Sequence, residues 1–405
     1  MANRSVPSGA CGETSRKKEC RMKRYFIIGV ALSPPGTMGG NSKIALEMAR
    51  HLSETNEVHF LVPEVKLPTV TDNLPPKPNL HLHVLPSFPK GEFMHPVAAV
   101  RHFCRAIGAV FAAEAIAKDD QVFCCSEAHV ETLPLALLKR RFAFTWITSD
   151  FLFAPSPWEN LSRGYRFPFF KWVFAWFLLK TLFFIQLRYA DRFVITNDSD
   201  RVRFPARLQK DVFAFYGGVN VEQIPAAHLE KTRDVVFCSR LHPQKGVEGL
   251  LDIWAHVVRQ DPARRLTLIG NGTPAYEKLL RRKAARLGME HAIDWLGYVN
   301  NAAKYEIYCS ARLFVHATVY DNNGMVAAEA LCSGLPVVMY DLPALRGVYT
   351  TGCHKVPYGD KDAFAAAILS DPPPPTDAEV ASLRAQWDWS GRVARFRRFA
   401  EGKTA

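Results

Sequence analysis

Asp321-Asn-Asn-Gly-Met-Val-Ala-Ala-Glu329-Ala-Leu-Cys-Ser-Gly334-Leu-Pro336-Val-Val reads as a loop opening a short helix, followed by a second turn and a buried strand. The two carboxylates bracket an Asn-Gly turn and the first turns of the helix. They and the unpaired backbone N–H groups of the helix start can therefore converge on one polyhydroxylated, phosphate-bearing ligand. That geometry suits a nucleotide sugar.

Working outward, the pattern around this stretch alternates strands and helices. Asp234-Val-Val-Phe-Cys-Ser239, Leu266 to Gly270, Ile293 to Gly297, Leu313 to His316 and Pro336 to Tyr340 are short apolar runs separated by helical spacing at Val247 to Gln260, Ala275 to Leu287, Ala302 to Ser310 and Met325 to Cys332. The first half repeats the scheme. Arg24 to Leu32 is a strand, Ser33 to Ser42 a glycine-rich loop, and Ile44 to Leu52 the helix after it. Strands follow at Glu57 to Val62 and Leu80 to Leu85, helix over Val97 to Lys118, strand ends at Phe123 to His129 and Phe142 to Asp150, and strands at Arg192 to Asn197 and Val212 to Asn220. The expected fold is α/β, two Rossmann-like doubly wound parallel-sheet domains facing a cleft. We place a basic tail at 1–24, the first domain at 25–225, the second at 226–384, and at 385–405 a basic amphipathic helix from Trp387 to Ala400 returning to the first domain.

Composition narrows the functional classes. The chain has 405 residues, 48% hydrophobic and 22% charged, enough for two cores and too apolar for a largely disordered protein. Nine cysteines show no Cys-x-x-Cys or Cys/His metal spacing, which points to buried thiols in a reducing compartment. Residues 1–24 contain no apolar run of signal-peptide length, so the expected location is cytoplasmic. A net charge of +12 needs negative partners. Nucleic acid is disfavoured by the lack of any binding module. Phosphorylated substrates and anionic lipid remain.

The acidic-x7-acidic spacing of Asp321 and Glu329 resembles the signature of the retaining glycosyltransferases of family 4, whose architecture is called GT-B. The resemblance spans most of residues 25 to 400 and is strongest from 234 to 345. It implies that Asp321 meets hydroxyls of the donor sugar, that Asn323, Gly324, Met325 and Val326 present amides to sugar and diphosphate, and that Glu329 holds the ribose. Asp321 stands where Glu is commonest, and Asn323 where an aromatic or Cys is usual. Arg240-Leu-His-Pro-Gln-Lys245-Gly246 resembles the segment whose Arg and Lys stabilise the departing nucleoside diphosphate; a strand end and helix start there favour a diphosphate on electrostatic grounds alone. Gly270-Asn271-Gly272 resembles a strand-ending Gly-x-Gly that admits the nucleotide, and Trp295-Leu-Gly297-Tyr298-Val299 resembles the loop that reads the base, with packing the plain alternative for Tyr298. Gly39 and Gly40 resemble the first-domain loop that closes over the donor phosphates, the plain alternative being a strained strand-to-helix connection.

The departure is at Thr145-Trp-Ile-Thr-Ser-Asp150, where many relatives end the strand in His. Thr148, Ser149 or Asp150 stands in, with Glu127 and His129 as further acceptor contacts; helix capping is the structural alternative for Asp150. The resemblance implies a hexosyltransferase acting with retention by front-face attack on a nucleoside diphosphate sugar. No cofactor is expected, and no metal, because Arg240 and Lys245 replace the cation and no Asp-x-Asp motif with strand context is found. The acceptor hydroxyl is open between glycan, lipid-linked and small-molecule classes. A nucleotide-sugar 2-epimerase and a donor-binding pseudoenzyme of the same fold are the alternatives.

FPFFKWVFAWFLLKTLFFIQLRY at 167–189 is apolar nearly all round, but Lys180 interrupts it and its apolar runs fall short of the roughly 20 residues a span requires. Two readings stay open: a core helix, or an interfacial anchor in which Arg163, Arg166, Lys171, Lys180 and Arg188 beside Trp172 and Trp176 meet the anionic inner face of a membrane.

Overall fold

In a computed structural model, residues 22–35, 38–89, 95–151, 153, 156–158, 169–226 and 229–403 are described. The basic tail expected at 1–24 lies almost wholly outside them, as do Gly36, Thr37, Arg163 and Arg166. Two parallel sheets carry the fold. The first holds β1 (Arg24–Ile28), β2 (Glu57–Pro63), β3 (Leu80–Leu85), β4 (Gln121–Cys124), β5 (Thr145–Asp150), β6 (Arg192–Ile195) and β7 (Val212–Ala214), in the order β3-β2-β1-β4-β5-β6-β7. The second holds β8 (Arg233–Cys238), β9 (Leu266–Ile269), β10 (Ile293–Gly297), β11 (Ala311–His316), β12 (Val337–Tyr340) and β13 (Cys353–Val356), in the order β10-β9-β8-β11-β12-β13.

Each order reverses once, between β1 and β4 in the first sheet and between β8 and β11 in the second. Connections leaving those strands diverge, so a crevice opens past their carboxyl ends, where ligands of open α/β sheets bind. The central strands are apolar on both faces because helices cover both: all five residues of β1 are buried, as are all four of β9 and β12. Phe26, Trp146 and Phe111 fill one side of the first sheet; Trp254, Phe314 and Ala328 pack in the second domain.

The chain crosses between domains twice. Val219 N donates to Trp387 O at 2.8 Å, and Val219 bridges Asp388 in parallel. The helix Trp389–Ala400 then buries Trp389, Val393, Phe396 and Phe399 in the first-domain core, with Phe399 stacked on Phe213 at 5.0 Å. The terminal helix starts later than the expected Trp387: Asp388 has extended backbone and its side chain accepts from Gly391 N, ending one helix (Asp377–Trp387) and capping the next. Pro96–Ala113 stops short of the expected Lys118, and Ala115, just beyond its C-cap Glu114, has φ 46°. β13 was not anticipated, because Cys-His-Lys-Val carries too few apolar residues to read as a strand.

Candidate functional site

The loop after β8 and the loop after β11 are bound to each other. Gln244 Nε2 donates to Tyr320 O at 3.0 Å, and Val319 N donates to Gln244 O at 3.0 Å. Gly246 makes that approach possible. Its φ is +72°, and a Cβ there would lie 1.9 Å from Ala317 O, so no other residue fits. Gly270 serves the neighbouring contact, with φ +125° and a hypothetical Cβ 1.8 Å from Ser239 O. The glycines of Gly270-Asn271-Gly272 thus have a reason within the protein: they let the end of β9 close on Ser239 to Leu241.

Those contacts bring Lys245 and Asp321 together. Lys245 Nζ lies 2.6 Å from Asp321 Oδ2, both side chains being mostly buried. The other oxygen, Oδ1, accepts from Asn323 N at 3.3 Å and Gly324 N at 3.2 Å. Burial alone would raise the Asp321 pKa, but the Lys245 ammonium and His316, at 3.7 Å, hold it far below the usual carboxylate range. Asp321 therefore caps its own turn and fixes the lysine beside it. Gly324, at φ +61°, N-caps the helix Met325–Cys332, and Tyr349 Oη donates to the carbonyls of Asn323 and Gly324 at 2.7 and 2.9 Å. Asn323 is buried, and neither polar atom of its side chain has a partner among the described residues. Such a group normally costs about 1–3 kcal/mol, which makes it a natural contact for a ligand.

Glu329 is buried on the same helix between two lysines. Lys43 Nζ approaches Oε1 at 2.5 Å and Lys304 Nζ approaches Oε2 at 2.8 Å. Burial tends to raise its pKa, yet Lys304 and then Lys43 bring it down to about 2. Lys43 comes from the first-domain helix Gly40–Leu52, so this ion pair spans the cleft. The glycine loop meets the same helix: a Cβ on Gly40 would touch Met325 Cε at 3.3 Å, while Met325 Sδ would lie 2.5 Å from one on Gly217. Gly39 N-caps the helix at φ −89°, so the strained connection considered from sequence is absent at this residue.

The facing wall is acidic and buried. Asp150, at the carboxyl end of β5, has its pKa pushed well up by burial and then by Glu127 and Asp200. A carboxyl so placed favours its neutral form and suits hydrogen bonding better than holding a cationic centre. Gln186, with its amide nitrogen turned to Asp150, donates to the two oxygens at 2.9 and 3.1 Å and accepts from Thr148 Oγ1 at 2.8 Å. Ser149 Oγ donates to Cys124 O at 2.7 Å. Thr148, Ser149 and Asp150 are thus all hydrogen-bonded within the first domain, with Asp150 at the carboxyl end of the strand. His129 is buried at the start of the helix His129–Leu138.

The remaining expected residues lie around the rim. Arg240 is exposed, and with Lys245 it lowers the pKa of partly buried His242, after burial itself. Asn271 is exposed, with its Oδ1 over Gly297; Tyr298 is 50% exposed, and Val326 is half-buried. Several residues that build the site gave no signal in sequence. Lys43 and Lys304 are ordinary helix lysines until Glu329 is placed. Asn197 donates to Asn322 O at 3.2 Å and also to Ala344 O, Asn322 Nδ2 donates to Asp200 at 3.0 Å, and Tyr320 Oη reaches Phe153 O across the cleft. Glu131 accepts from Ala31 N at 2.6 Å and from Ser126 N and Oγ at 3.0 and 2.9 Å, and burial lifts its pKa to about 7.

Comparisons with known proteins bear on this arrangement. Sucrose-phosphate synthase from Thermosynechococcus elongatus superposes with TM-score 0.75 at 16% identity, over 94% of this chain and 98% of that one. HepE from Anabaena, in complex with UDP and glucose, superposes with TM-score 0.67 at 16% identity, over 93% and 99%. The fold is GT-B. The profile of the family Glycosyl transferases group 1 matches residues 232–370, which carry Arg240, Lys245, Asp321 and Glu329. Residues 232–370 are thus similar to the group 1 glycosyl transferases. Among curated relatives, phosphatidyl-myo-inositol mannosyltransferase of Mycobacterium leprae is 34% identical over 174 residues, 40% of this chain and 45% of that protein. O-antigen chain mannosyltransferase B of Escherichia coli is 28% identical over 150 residues, 37% and 39%. The chain spans less than half the length of these curated relatives.

Proposed function

We propose that the protein is a metal-independent, retaining hexosyltransferase that moves a sugar from a nucleoside diphosphate to an acceptor hydroxyl. The observation that carries this reading is the meeting of Lys245 and Asp321 at 2.6 Å, at the second sheet's switch point, beside the buried and unpartnered amide of Asn323. In this reading Lys245 and Arg240 face the diphosphate as charge builds on it. Asn323 and the first amides of Met325–Cys332 receive sugar and phosphate oxygens. Glu329 exchanges Lys43 for the ribose when the donor enters. The bond from the anomeric carbon to the diphosphate oxygen breaks, the bond to the acceptor oxygen forms on the same face, and the acceptor proton passes to the departing phosphate oxygen. Asp150 orients the acceptor as a hydrogen-bonding group.

The names of the curated relatives favour mannose as the sugar. The helix Phe169–Tyr189 favours an acceptor at a membrane. Its inner side is buried at Leu182 and Gln186, whereas Phe174, Phe177 and Phe184 are 72%, 68% and 71% exposed, on a face shared with exposed Lys180 and Arg188. The buried side agrees with the core-helix reading, and the exposed aromatic and basic side supports our reading of it as a face for an anionic lipid interface.

The test is calorimetric titration with UDP, GDP and ADP of the wild-type protein, Lys245→Met and Asn323→Ala. Binding of one nucleotide that both variants weaken is the expected result. Equal binding by all three proteins would remove the site from this cleft.

A further inference from the structure

The far edge of the first sheet assembles a set of donors unconnected with the cleft. In β2 and β3 the parallel register pairs His59 with His81 and Leu61 with His83. Glu57, His59, His81 and His83 therefore point to the face under the helix Pro96–Ala113. Glu114, the C-cap of that helix, reaches the same spot. His59 Nδ1 lies 2.9 Å from His83 Nε2, and the Glu114 carboxylate oxygens are 3.8 Å from His59 Nδ1 and 3.9 Å from His83 Nε2.

We propose that His59 Nδ1, His83 Nε2 and Glu114 hold a divalent transition-metal ion, Zn2+ by the chemistry of the set, with a fourth position open to solvent. Two imidazoles and one carboxylate suit that ion, and bond lengths of about 2.0–2.2 Å place tetrahedral donors roughly 3.3 Å apart. The observed spacings of 2.9 to 3.9 Å bracket this value, so side-chain adjustments of about half an ångström suffice.

Three independent features favour a built site. His59 is 2% exposed and stacked on Phe26 at 4.4 Å, which fixes the ring plane. Its second nitrogen, Nε2, is buried without a hydrogen-bond partner among the described residues and sits 3.2 Å from Glu57 Oε1. That is the place of the outer carboxylate which orients a metal-bound histidine. Glu114 is held from behind, where buried Arg24 donates Nη1 to its carbonyl at 2.9 Å and also pairs with Asp120.

The ligands come from positions 59, 83 and 114 on three elements, so no local spacing in the sequence announces them. They lie toward the amino end of β2, away from the strand ends that form the cleft. Such an ion binds the edge strand β3, with its exposed Leu82 and Val84, to β2 and to the end of the helix, and so secures an open sheet edge.

The test uses tag-free full-length protein stripped with a chelator, then titrated with Zn2+ and, separately, with Co2+ followed through its visible absorption. One equivalent of Zn2+ should bind, and Co2+ should show the intense bands of a tetrahedral site. His83→Ala and Glu114→Gln, both at partly exposed positions, should weaken binding by at least about tenfold, a loss seen even for outer-shell groups. His81→Ala should bind as wild type does, and nucleotide binding should be unchanged in all three. No bound equivalent in the wild type, or equal affinity in His83→Ala and Glu114→Gln, would overturn the proposal.

Discussion

Replacing Glu329 by Gln should destabilise the second domain more than replacing either of its lysine partners. The carboxylate sits 2.5 Å from Lys43 and 2.8 Å from Lys304, and all three side chains are close to fully buried. Removing the shared anion leaves two buried ammonium groups facing each other, and an uncompensated buried charge costs about 3–5 kcal/mol. The pKa gives the same scale: depression from 4.5 to about 2 corresponds to about 3 kcal/mol at roughly 1.4 kcal/mol per unit. Lys43→Met instead leaves a neutral Glu329–Lys304 pair, and the loss of one charged hydrogen bond is worth about 1.5–3 kcal/mol. For a domain of this size, about 2–4 °C per kcal/mol translates these values into roughly 10 °C for Glu329→Gln and about 5 °C for Lys43→Met. Scanning calorimetry of wild type and both variants from pH 7 to pH 2 reads the effect. The folded-state pKa is depressed, so the stabilisation is complete above about pH 4.5 and disappears as pH falls toward 2. The gap between wild type and Glu329→Gln should therefore narrow over that interval. A gap independent of pH, or Lys43→Met as damaging as Glu329→Gln, would refute the reasoning.

Three further outcomes follow from other parts of the molecule. Gly246→Ala combines a left-handed backbone with a Cβ 1.9 Å from Ala317 O, whereas Gly359→Ala, at φ +86°, meets nothing within 4 Å. Gly359→Ala should cost only the backbone term of about 1–3 kcal/mol, and Gly246→Ala clearly more, in urea denaturation. Glu131 has a folded-state pKa raised to about 7 from 4.5, so native stability should fall by about 3 kcal/mol as pH rises between those values; Glu131→Gln should flatten that slope. The triple change Phe174→Ser, Phe177→Ser and Phe184→Ser should reduce sedimentation with anionic vesicles and leave nucleotide affinity unchanged.

How far the sequence reached depends on the range of the interaction involved. Strands such as Phe26 to Ile28 and Phe314 to His316 were legible because buried parallel strands are continuous apolar runs, and the glycines at 246 and 270 marked turns. Arg240, Lys245, Asp321 and Glu329 stood out through the resemblance of their spacing to a family motif, and the structure places them on the loops and helix that follow β8 and β11. The partners of these residues did not stand out. Lys43 meets Glu329 across 286 positions, and nothing near Lys43 distinguishes it from any other helix lysine. β13 escaped notice because His354 and Lys355 break the apolar pattern. Asp388 hid a helix boundary inside what reads as one amphipathic run, because an N-cap is recognised only once the preceding helix is known to stop. The segment at 167–189 was undecided because its composition is uniform, and only its packing separates the buried Gln186 side from the exposed Phe174 side.

The most direct test of glycosyl transfer in this cleft is to incubate the protein with UDP-, GDP- and ADP-linked hexoses, together with simple hexosides and anionic lipid vesicles. Nucleotide release and the anomeric configuration of any product would be followed by NMR. Transfer from one donor with retained configuration, lost in Lys245→Met, is the predicted result. An epimerised donor, or no turnover of any donor, would contradict the account.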